Sequence, residues 1–348
     1  MGTRLRVLVG VGLVAAAGAA LAAGARALPD DTDSSTATTT SSTTSTSTST
    51  TTASTTTTTL PPSTTTTAAP PWPALAGGAP RAVTTSTGVV LAVLRANADG
   101  TFLARTPCGG EATVRGAPIT GAHVVLDPGH GGDEPGAVGP AGSQEKAVNL
   151  AVAQETKRQL EALGATVVLT RTGDYRITLA SRAAIATNVH PVVFVSIHHN
   201  AEPDEERPTP GAETYFQIAS PESKRAAGLV YQEVYGAFEP YGIRWGADRD
   251  AGAKYRPASD GGDYYGILRR TAGVPAVLSE AAFITNPAEE ALLVDPAFQR
   301  VEAAAITRAI VRFATTRDQG SGYVTPYPRT QPAGPGGGSQ GCTDPPLG

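Results

Sequence analysis

Short apolar runs rich in β-branched residues alternate with segments of helical periodicity from residue 122 to about residue 317. The short runs predict strands, because β-branched side chains fit a pleated surface. The longer segments repeat apolar residues three and four positions apart, which predicts helices. This alternation predicts an α/β fold, a single three-layer domain over 121–317 with a mostly parallel twisted sheet flanked by helices. The predicted strands are 123–126, 166–170, 191–197, 213–217 and 275–279, and the predicted helices are 147–163, 179–189, 223–235, 287–294 and 296–313.

A shorter β-rich segment at 81–120 precedes this domain. Its apolar runs at 89–94 and 101–104 flank the turn sequence at 97–100, which predicts a small β-hairpin element. An isolated hairpin is only marginally stable in water. We therefore expect the segment to pack on the main domain, or to be part of a small β module.

The two ends of the chain differ in composition from a folded domain. Residues 1–27 combine Arg4 and Arg6 with an apolar run and a small-residue cleavage site, which predicts a signal peptide. The alternative is an uncleaved signal anchor, because the apolar run is close to the shorter limit for spanning a bilayer. Residues 28–80 are mostly Ser, Thr, Pro and Ala, which predicts a disordered linker. The Gly- and Pro-rich residues 318–348 predict a loose C-terminal tail.

Charge and cysteine content narrow the class of protein. The formal net charge is −4, which argues against nucleic acid as a partner, since such binders usually carry a basic surface. The sequence has two cysteines, Cys108 and Cys342. In an oxidising compartment they can pair and tie the tail to the start of the folded region, which we favour over two separate thiols. These features predict a secreted, extracytoplasmic protein of the cell wall or periplasmic space, with membrane contact only through an uncleaved signal.

Polar side chains follow three of the predicted strands at their carboxyl ends, where open α/β sheets collect functional residues. His130 follows the first strand, His198 and His199 follow the third, Glu280 follows the fifth, and Glu145 opens the first helix. Two His and one Glu are a typical ligand set for catalytic zinc, which keeps one position open for water. His130, Glu145 and His198 could therefore bind one zinc ion, and Glu280 would then be the general base.

Each of these residues also has a structural alternative. His130 could be a loop histidine bonded to backbone, and Glu145 could simply favour a helix N-terminus. His198 and His199 are adjacent on a strand and face opposite sides, so at most one is a ligand on a given face. Glu280 is the hardest to explain structurally, because an unpaired buried carboxylate is costly. On the residues alone, the metal site stays a hypothesis.

The same residues lie within a longer series of motifs. The motifs are VLDPGHGG at 125–132, GSQEK at 142–146, LTRT at 169–172, FVSIHHNA at 194–201, VPAVLSE at 274–280 and FITNP at 283–287. Over about residues 122 to 315, this series resembles the amidase-3 type N-acetylmuramoyl-L-alanine amidases. The resemblance implies a zinc-dependent hydrolase with a mixed, mostly parallel sheet. Its substrate would be the amide between the lactyl group of N-acetylmuramic acid and L-alanine of the peptidoglycan stem. The resemblance also implies His130, Glu145 and His198 as zinc ligands and Glu280 as the catalytic carboxylate.

Departures from the family pattern concern the surroundings of the site. His199 stands where the family often has Ala, so it could contact substrate or tune the site. Ala281 and Ala282 follow the catalytic carboxylate where Gly is common, and a methyl group there could narrow the cleft. The polar, Gly-rich stretch at 239–263 could be a substrate loop, a lid or a regulatory cover, or an ordinary surface insertion.

Three arginines are candidates for contacting the acidic stem peptide: Arg171, Arg182 and Arg244. For the first two we favour packing or an ion pair with Asp174 instead.

An active amidase is the favoured function, with peptidoglycan or muropeptides as partners. The alternatives are a zinc peptidase acting on stem peptides, and an autoinhibited or non-catalytic wall-binding regulator. An activator protein of unknown identity could be a further partner.

Overall fold

The computed structural model of the chain describes residues 72–75, 77–328, 332 and 338–348. The predicted signal peptide at 1–27 and the predicted linker up to residue 71 lie outside the described residues. Across the described residues, no helix has both the length and the apolar character that crossing a membrane requires.

The segment at 81–120 forms a five-stranded antiparallel sheet with the order β4-β3-β2-β1-β5. Strands β2 and β3 are the expected hairpin, and three further strands extend it. Those strands are four residues long, too short to show a clear alternation in the sequence. One face encloses a small apolar core that includes Val83, Leu91 and Phe102. The five strands are β1 (Ala82–Thr85), β2 (Val90–Ala96), β3 (Phe102–Arg105), β4 (Glu111–Val114) and β5 (Gly116–Ile119).

The main sheet has six strands in the order β12-β10-β13-β8-β6-β7. Strands β7, β6, β8 and β13 are parallel to one another, while β10 runs antiparallel to β13 and parallel to β12. The predicted mostly parallel sheet is confirmed. The strands are β6 (Val124–Pro128), β7 (Val167–Leu169), β8 (Val193–Asn200), β10 (Glu213–Phe216), β12 (Ala253–Lys254) and β13 (Ala276–Phe283), with β9 (Glu205–Arg207) and β11 (Trp245–Ala247) paired in a separate ribbon.

Helices cover both faces of the main sheet, which confirms the three-layer arrangement. Val124 and Leu126 of β6 point into one core with α1, α3 and α6, while Val125 points into another with α2 and α4. The small sheet adds residues of β1 and β2 to the second core. The helices are α1 (Glu145–Ala162), α2 (Leu179–Val189), α3 (Pro221–Phe238), α4 (Gly266–Arg270), α5 (Pro287–Leu293) and α6 (Pro296–Thr315), with a 3₁₀ turn at Glu239–Tyr241.

A buried carboxylate fixes the β9–β11 ribbon to the end of β13. Glu289 of α5 accepts hydrogen bonds from the backbone N–H of Gly246 at 2.5 Å and of Phe283 at 2.7 Å. Burial raises the pKa of Glu289 to about 7, although both backbone donors oppose the rise. The stretch at 239–263 is therefore tied to the core at β11.

Two segments assigned to the linker and the tail contact the domain. Trp72 is only 8% exposed, and its indole N–H donates to the carbonyl of Leu163 at 2.9 Å. In the tail, Cys342 forms a disulfide with Cys108, as we favoured. Arg176 donates to the carbonyls of residues 338 and 340 at 2.9 and 3.1 Å. Where a loose tail was expected, residues 338–348 are thus anchored beside the small sheet.

Candidate metal and catalytic site

Three neighbouring strands of the main sheet end at one site. Strands β13, β8 and β6 lie side by side and parallel, so their carboxyl ends share one edge of the sheet. His198, near the end of β8, pairs in register with Glu280 of β13. His130 follows β6, and Glu145 is the first residue of α1. The topology therefore gathers the side chains that the sequence singled out.

The nitrogen and oxygen donors of His130, Glu145 and His198 all lie within 4.8 Å of one another. His130 Nε2 is 3.1 Å from Glu145 Oε2, and His198 Nδ1 is 2.9 Å from Glu145 Oε1. Among the residues that the structure describes, two imidazoles and one carboxylate make up this group, which matches the donor set of catalytic zinc sites. The residues present therefore fit one zinc ion.

Close packing around these side chains requires glycine in the adjoining loop. A Cβ at Gly129 would lie 2.1 Å from His198 Cε1, and a Cβ at Gly136 would lie 2.3 Å from Glu145 Oε2. Gly136 also has a φ of +72°, a value that side chains disfavour. The loop can thus pass directly over the candidate ligands.

Burial and neighbouring charges set the protonation of the site. Burial alone raises the pKa of Glu145, but hydrogen bonds from His130 and His198 outweigh it and lower the pKa well below its usual value. Burial lowers the pKa of His198, which favours the neutral imidazole that a metal binds. Burial, and then the charges of Glu145 and Glu213, raise the pKa of Glu280 well above its usual value. A bound cation would oppose that rise.

Two buried arginines hold the loop that carries His130. Arg182 donates to Asp127 at 2.7 Å and to the carbonyls of Pro128 and His130 at 2.6 Å each. Arg171 donates to the carbonyls of Pro128 and Gly129 at 2.9 Å. Arg171 therefore acts through backbone bonds, and Arg182 acts through backbone bonds and its ion pair with Asp127. Arg182 also lines the cleft beside the candidate ligands.

An ion pair with Asp174 was one of the two roles favoured for Arg171 and Arg182, and it is not the arrangement found. Asp174 instead pairs with Lys146 at 2.8 Å, and Arg182 pairs with Asp127, which its buried position in α2 brings within reach. Arg244 donates to the backbone carbonyl of Glu206 and is not among the residues that line the cleft.

The cleft beside the candidate ligands has a volume of about 320 Å³. His130, His198 and Glu280 line it together with an apolar wall that the sequence analysis missed. Among the described residues that line it, none comes from 239–263, and Ala281 and Ala282 lie in the buried core. The pair of tyrosines just before the LRRT run at 268–271 is the sequence feature that could have indicated this apolar wall. The missed lining residues include Ile177, Leu179, Tyr264, Tyr265, Ile267 and Leu278.

His199 faces away from the cleft. It is 1% exposed, and its ring lies between the side chains of Asn149 and Glu302. It therefore does not line the cleft, and the alternation of side chains along β8 puts His198 on the site's face.

Comparison with known proteins gives consistent matches over this region. Residues 124–312 match the family model described as N-acetylmuramoyl-L-alanine amidase. The amidase AmiC of Neisseria meningitidis serogroup B is 33% identical over 222 residues, which cover 56% of this chain and 53% of that protein. The uncharacterized protein YqiI of Bacillus subtilis is 34% identical over 213 residues, covering 61% of this chain and 92% of that protein.

A solved structure also resembles the chain. The catalytic domain of CwlV, an N-acetylmuramoyl-L-alanine amidase from Bacillus (Paenibacillus) polymyxa var. colistinus, is 33% identical with a TM-score of 0.47, covering 56% of this chain and 98% of that chain. The present chain spans about half the length of the Neisseria relative. The match with the family model extends over more than half of the 348 residues and includes β6, α1, β8 and β13, which assemble the site. The chain therefore belongs to the N-acetylmuramoyl-L-alanine amidase family.

Proposed function

We propose that this chain hydrolyses, with one zinc ion, the amide between the lactyl group of N-acetylmuramic acid and L-alanine of the peptidoglycan stem. The observation that carries the proposal is the convergence of His130, Glu145 and His198 within 4.8 Å beside Glu280. Family membership supports peptidoglycan or muropeptides as the substrate. The disulfide supports action outside the cytoplasm.

His130, Glu145 and His198 would hold the zinc ion. When bound, zinc acts as a Lewis acid and lowers the pKa of water. Glu145 contributes a negative charge and orients both histidines, because each of its oxygens faces one imidazole. The backbone N–H of Ala137 donates to Glu145 Oε2 at 2.8 Å, which fixes the carboxylate further.

Glu280 is the group that would move the proton. Its carboxylate would accept a proton from the water that attacks the carbonyl carbon, and would then give that proton to the leaving nitrogen of L-alanine. The carbon–nitrogen bond breaks, leaving a carboxylate on the lactyl group and a free amine on the stem peptide. The raised pKa of Glu280 favours holding the proton between these two steps.

The apolar wall of the cleft is suited to the groups on either side of the scissile bond. Both the lactyl group and L-alanine present a methyl group there. Leu179, Ile267 and Leu278 supply apolar surface in the cleft that His130 and His198 also line, so the cleft can accept these methyl groups beside the candidate metal site.

The test is incubation of the full chain with zinc and a purified muropeptide, followed by mass spectrometry of the products. We expect an intact stem peptide that begins at L-alanine. Glu280→Gln should abolish this product while keeping bound zinc, and Glu239→Gln, an exposed acid outside the cleft, should keep both. Shortened stems still attached to sugar would indicate a zinc peptidase instead. Absence of any product from the zinc-bound wild type would refute the hydrolase.

A further inference from the structure

A series of buried polar side chains, joined by hydrogen bonds, lies behind the candidate zinc ligands. His199 Nε2 is 3.1 Å from Glu302 Oε2, and His199 Nδ1 is 2.8 Å from Asn149 Oδ1. Asn149 Nδ2 in turn donates to Glu145 Oε1 at 3.1 Å. Glu302 belongs to α6 and is 0% exposed, so the hydrogen bonds run from α6 through His199 of β8 to Asn149 and Glu145 of α1.

The hydrogen-bond partners determine the orientation of the Asn149 amide. Its nitrogen faces the carbonyl of Gly129 at 3.3 Å and the carboxylate of Glu145, and both of these groups accept hydrogen bonds. Its oxygen must therefore face His199, whose Nδ1 carries the proton that it accepts. With that proton on Nδ1, Nε2 faces Glu302. His199 thus holds Asn149 in the one orientation that donates to Glu145.

Stabilising the fold does not by itself explain a buried pair such as His199 and Glu302. Replacing buried ion pairs by apolar residues of similar volume is often neutral or stabilising. Here the second oxygen of Glu302, Oε1, is buried and has no hydrogen-bond partner among the described residues, which adds a desolvation cost. Groups behind metal ligands do orient those ligands, however, and losing such a group typically weakens metal affinity 10- to 100-fold.

We infer that His199 and Glu302 are positioning residues, which fix the Asn149 amide and, through it, the Glu145 carboxylate between His130 and His198. The inference rests on the zinc site of the proposed function. It assigns His199 a role away from substrate, on the opposite face of β8 from the cleft.

The test measures the zinc dissociation constant of the full chain by competition with a chelator, together with the thermal unfolding of the metal-free protein. In His199→Leu/Glu302→Leu, both polar partners are removed, so no charge is left unpaired. We expect zinc binding to weaken by about 10- to 100-fold, while the metal-free protein unfolds at the same or a higher temperature.

Two further variants separate positioning from packing. In Glu302→Gln the new amide can donate to His199 Nε2 and keep the proton on Nδ1, so zinc affinity should stay near that of the wild type. Thr156→Val is the matched control: Thr156 is equally buried on α1, but its hydroxyl donates to the carbonyl of Val152. It should leave zinc affinity unchanged.

Unchanged zinc affinity in the double variant would overturn the inference, as would lower stability of the metal-free protein without loss of affinity. If the double variant does not fold, Asn149→Leu decides the question. That variant removes the donor to Glu145 and keeps the His199–Glu302 pair, so wild-type zinc affinity in it would overturn the inference. A wild-type chain that binds no zinc would refute the metal site itself, and the inference with it.

Discussion

Replacing Arg182 with Met removes the guanidinium that ties Asp127 to the loop carrying His130. The Met side chain has a similar length but cannot donate a hydrogen bond. The variant loses an ion pair of 2.7 Å and two bonds of 2.6 Å to loop carbonyls. Because both charged side chains are at most 2% exposed, solvent cannot replace the lost partner.

The expected loss of stability follows from this burial. Removing one member of a buried ion pair typically costs about 3–5 kcal/mol, because the other charge is left uncompensated. Asp127 keeps hydrogen bonds from Thr170 at 2.5 Å and Ser196 at 2.7 Å. Because these donors remain, we expect the free energy of unfolding to fall by about 3 kcal/mol at pH 7, near the lower end of that range.

The loss should also depend on pH. Burial raises the pKa of Asp127, but Arg182 and then the two hydroxyl donors outweigh it and hold the pKa below its ordinary value of 3.8. Asp127 therefore stabilises the wild type above that value, and the contribution is lost as the pH falls through the folded pKa. In Arg182→Met the guanidinium no longer opposes the effect of burial. The pKa of Asp127 therefore rises, and its ionised carboxylate destabilises the folded protein. The difference between the two proteins should shrink as the pH falls toward about 4.

Urea unfolding followed by circular dichroism at pH 7 and pH 5 measures both effects. Arg158→Met is a suitable control, because Arg158 is an exposed arginine that pairs with Glu155 within α1; we expect little change there. If Arg182→Met lies within about 0.5 kcal/mol of the wild type at pH 7, the scaffold role is refuted. A difference that grows on acidification would refute the linkage argument.

The remaining predictions concern the metal, the disulfide and a buried acid. His198→Ala should lower bound zinc while Glu280→Ala leaves it nearly intact, and equal zinc in both by metal analysis would contradict the ligand assignment. Replacing Cys108 and Cys342 with Ser should lower the free energy of unfolding by up to about 5 kcal/mol, because the bond closes a long loop; unchanged urea unfolding would contradict this. The pKa of Glu289 is raised to about 7. As the pH rises from about 4.5 to 7, the free energy of unfolding should therefore fall by about 3 kcal/mol. Glu289→Gln should remove that slope in urea unfolding at several pH values, and a slope unchanged from the wild type would assign it to other groups.

The predicted parallel strands and the convergence of the candidate ligands follow from local patterns. The run at 191–197 is apolar on both faces, as a central strand must be, and residues at the ends of parallel neighbours meet at one edge. The alternation along β8 also separates His198 from His199. The roles of these residues in zinc binding and catalysis stay predictions.

Other parts of the site depend on partners far apart in the chain. His199 and Glu302 are separated by 103 residues, and no periodicity in the sequence links a strand residue to a helix residue at that distance. Arg182 likewise reaches Asp127 because α2 shares an apolar core with Val125 of β6, whereas the nearby Asp174 pairs with Lys146. Tertiary packing, and not the local pattern, decides these pairings.

The bond between Cys108 and Cys342 joins residues 234 positions apart and makes the intervening polypeptide a covalent ring. That ring contains every strand and helix of the amidase fold from β6 to α6. A single backbone cleavage anywhere inside it leaves the two pieces covalently joined, so they migrate as one molecule until a reductant is added. The Ser/Thr-rich residues before Trp72 lie outside the ring, so cleavage there releases the closed domain intact.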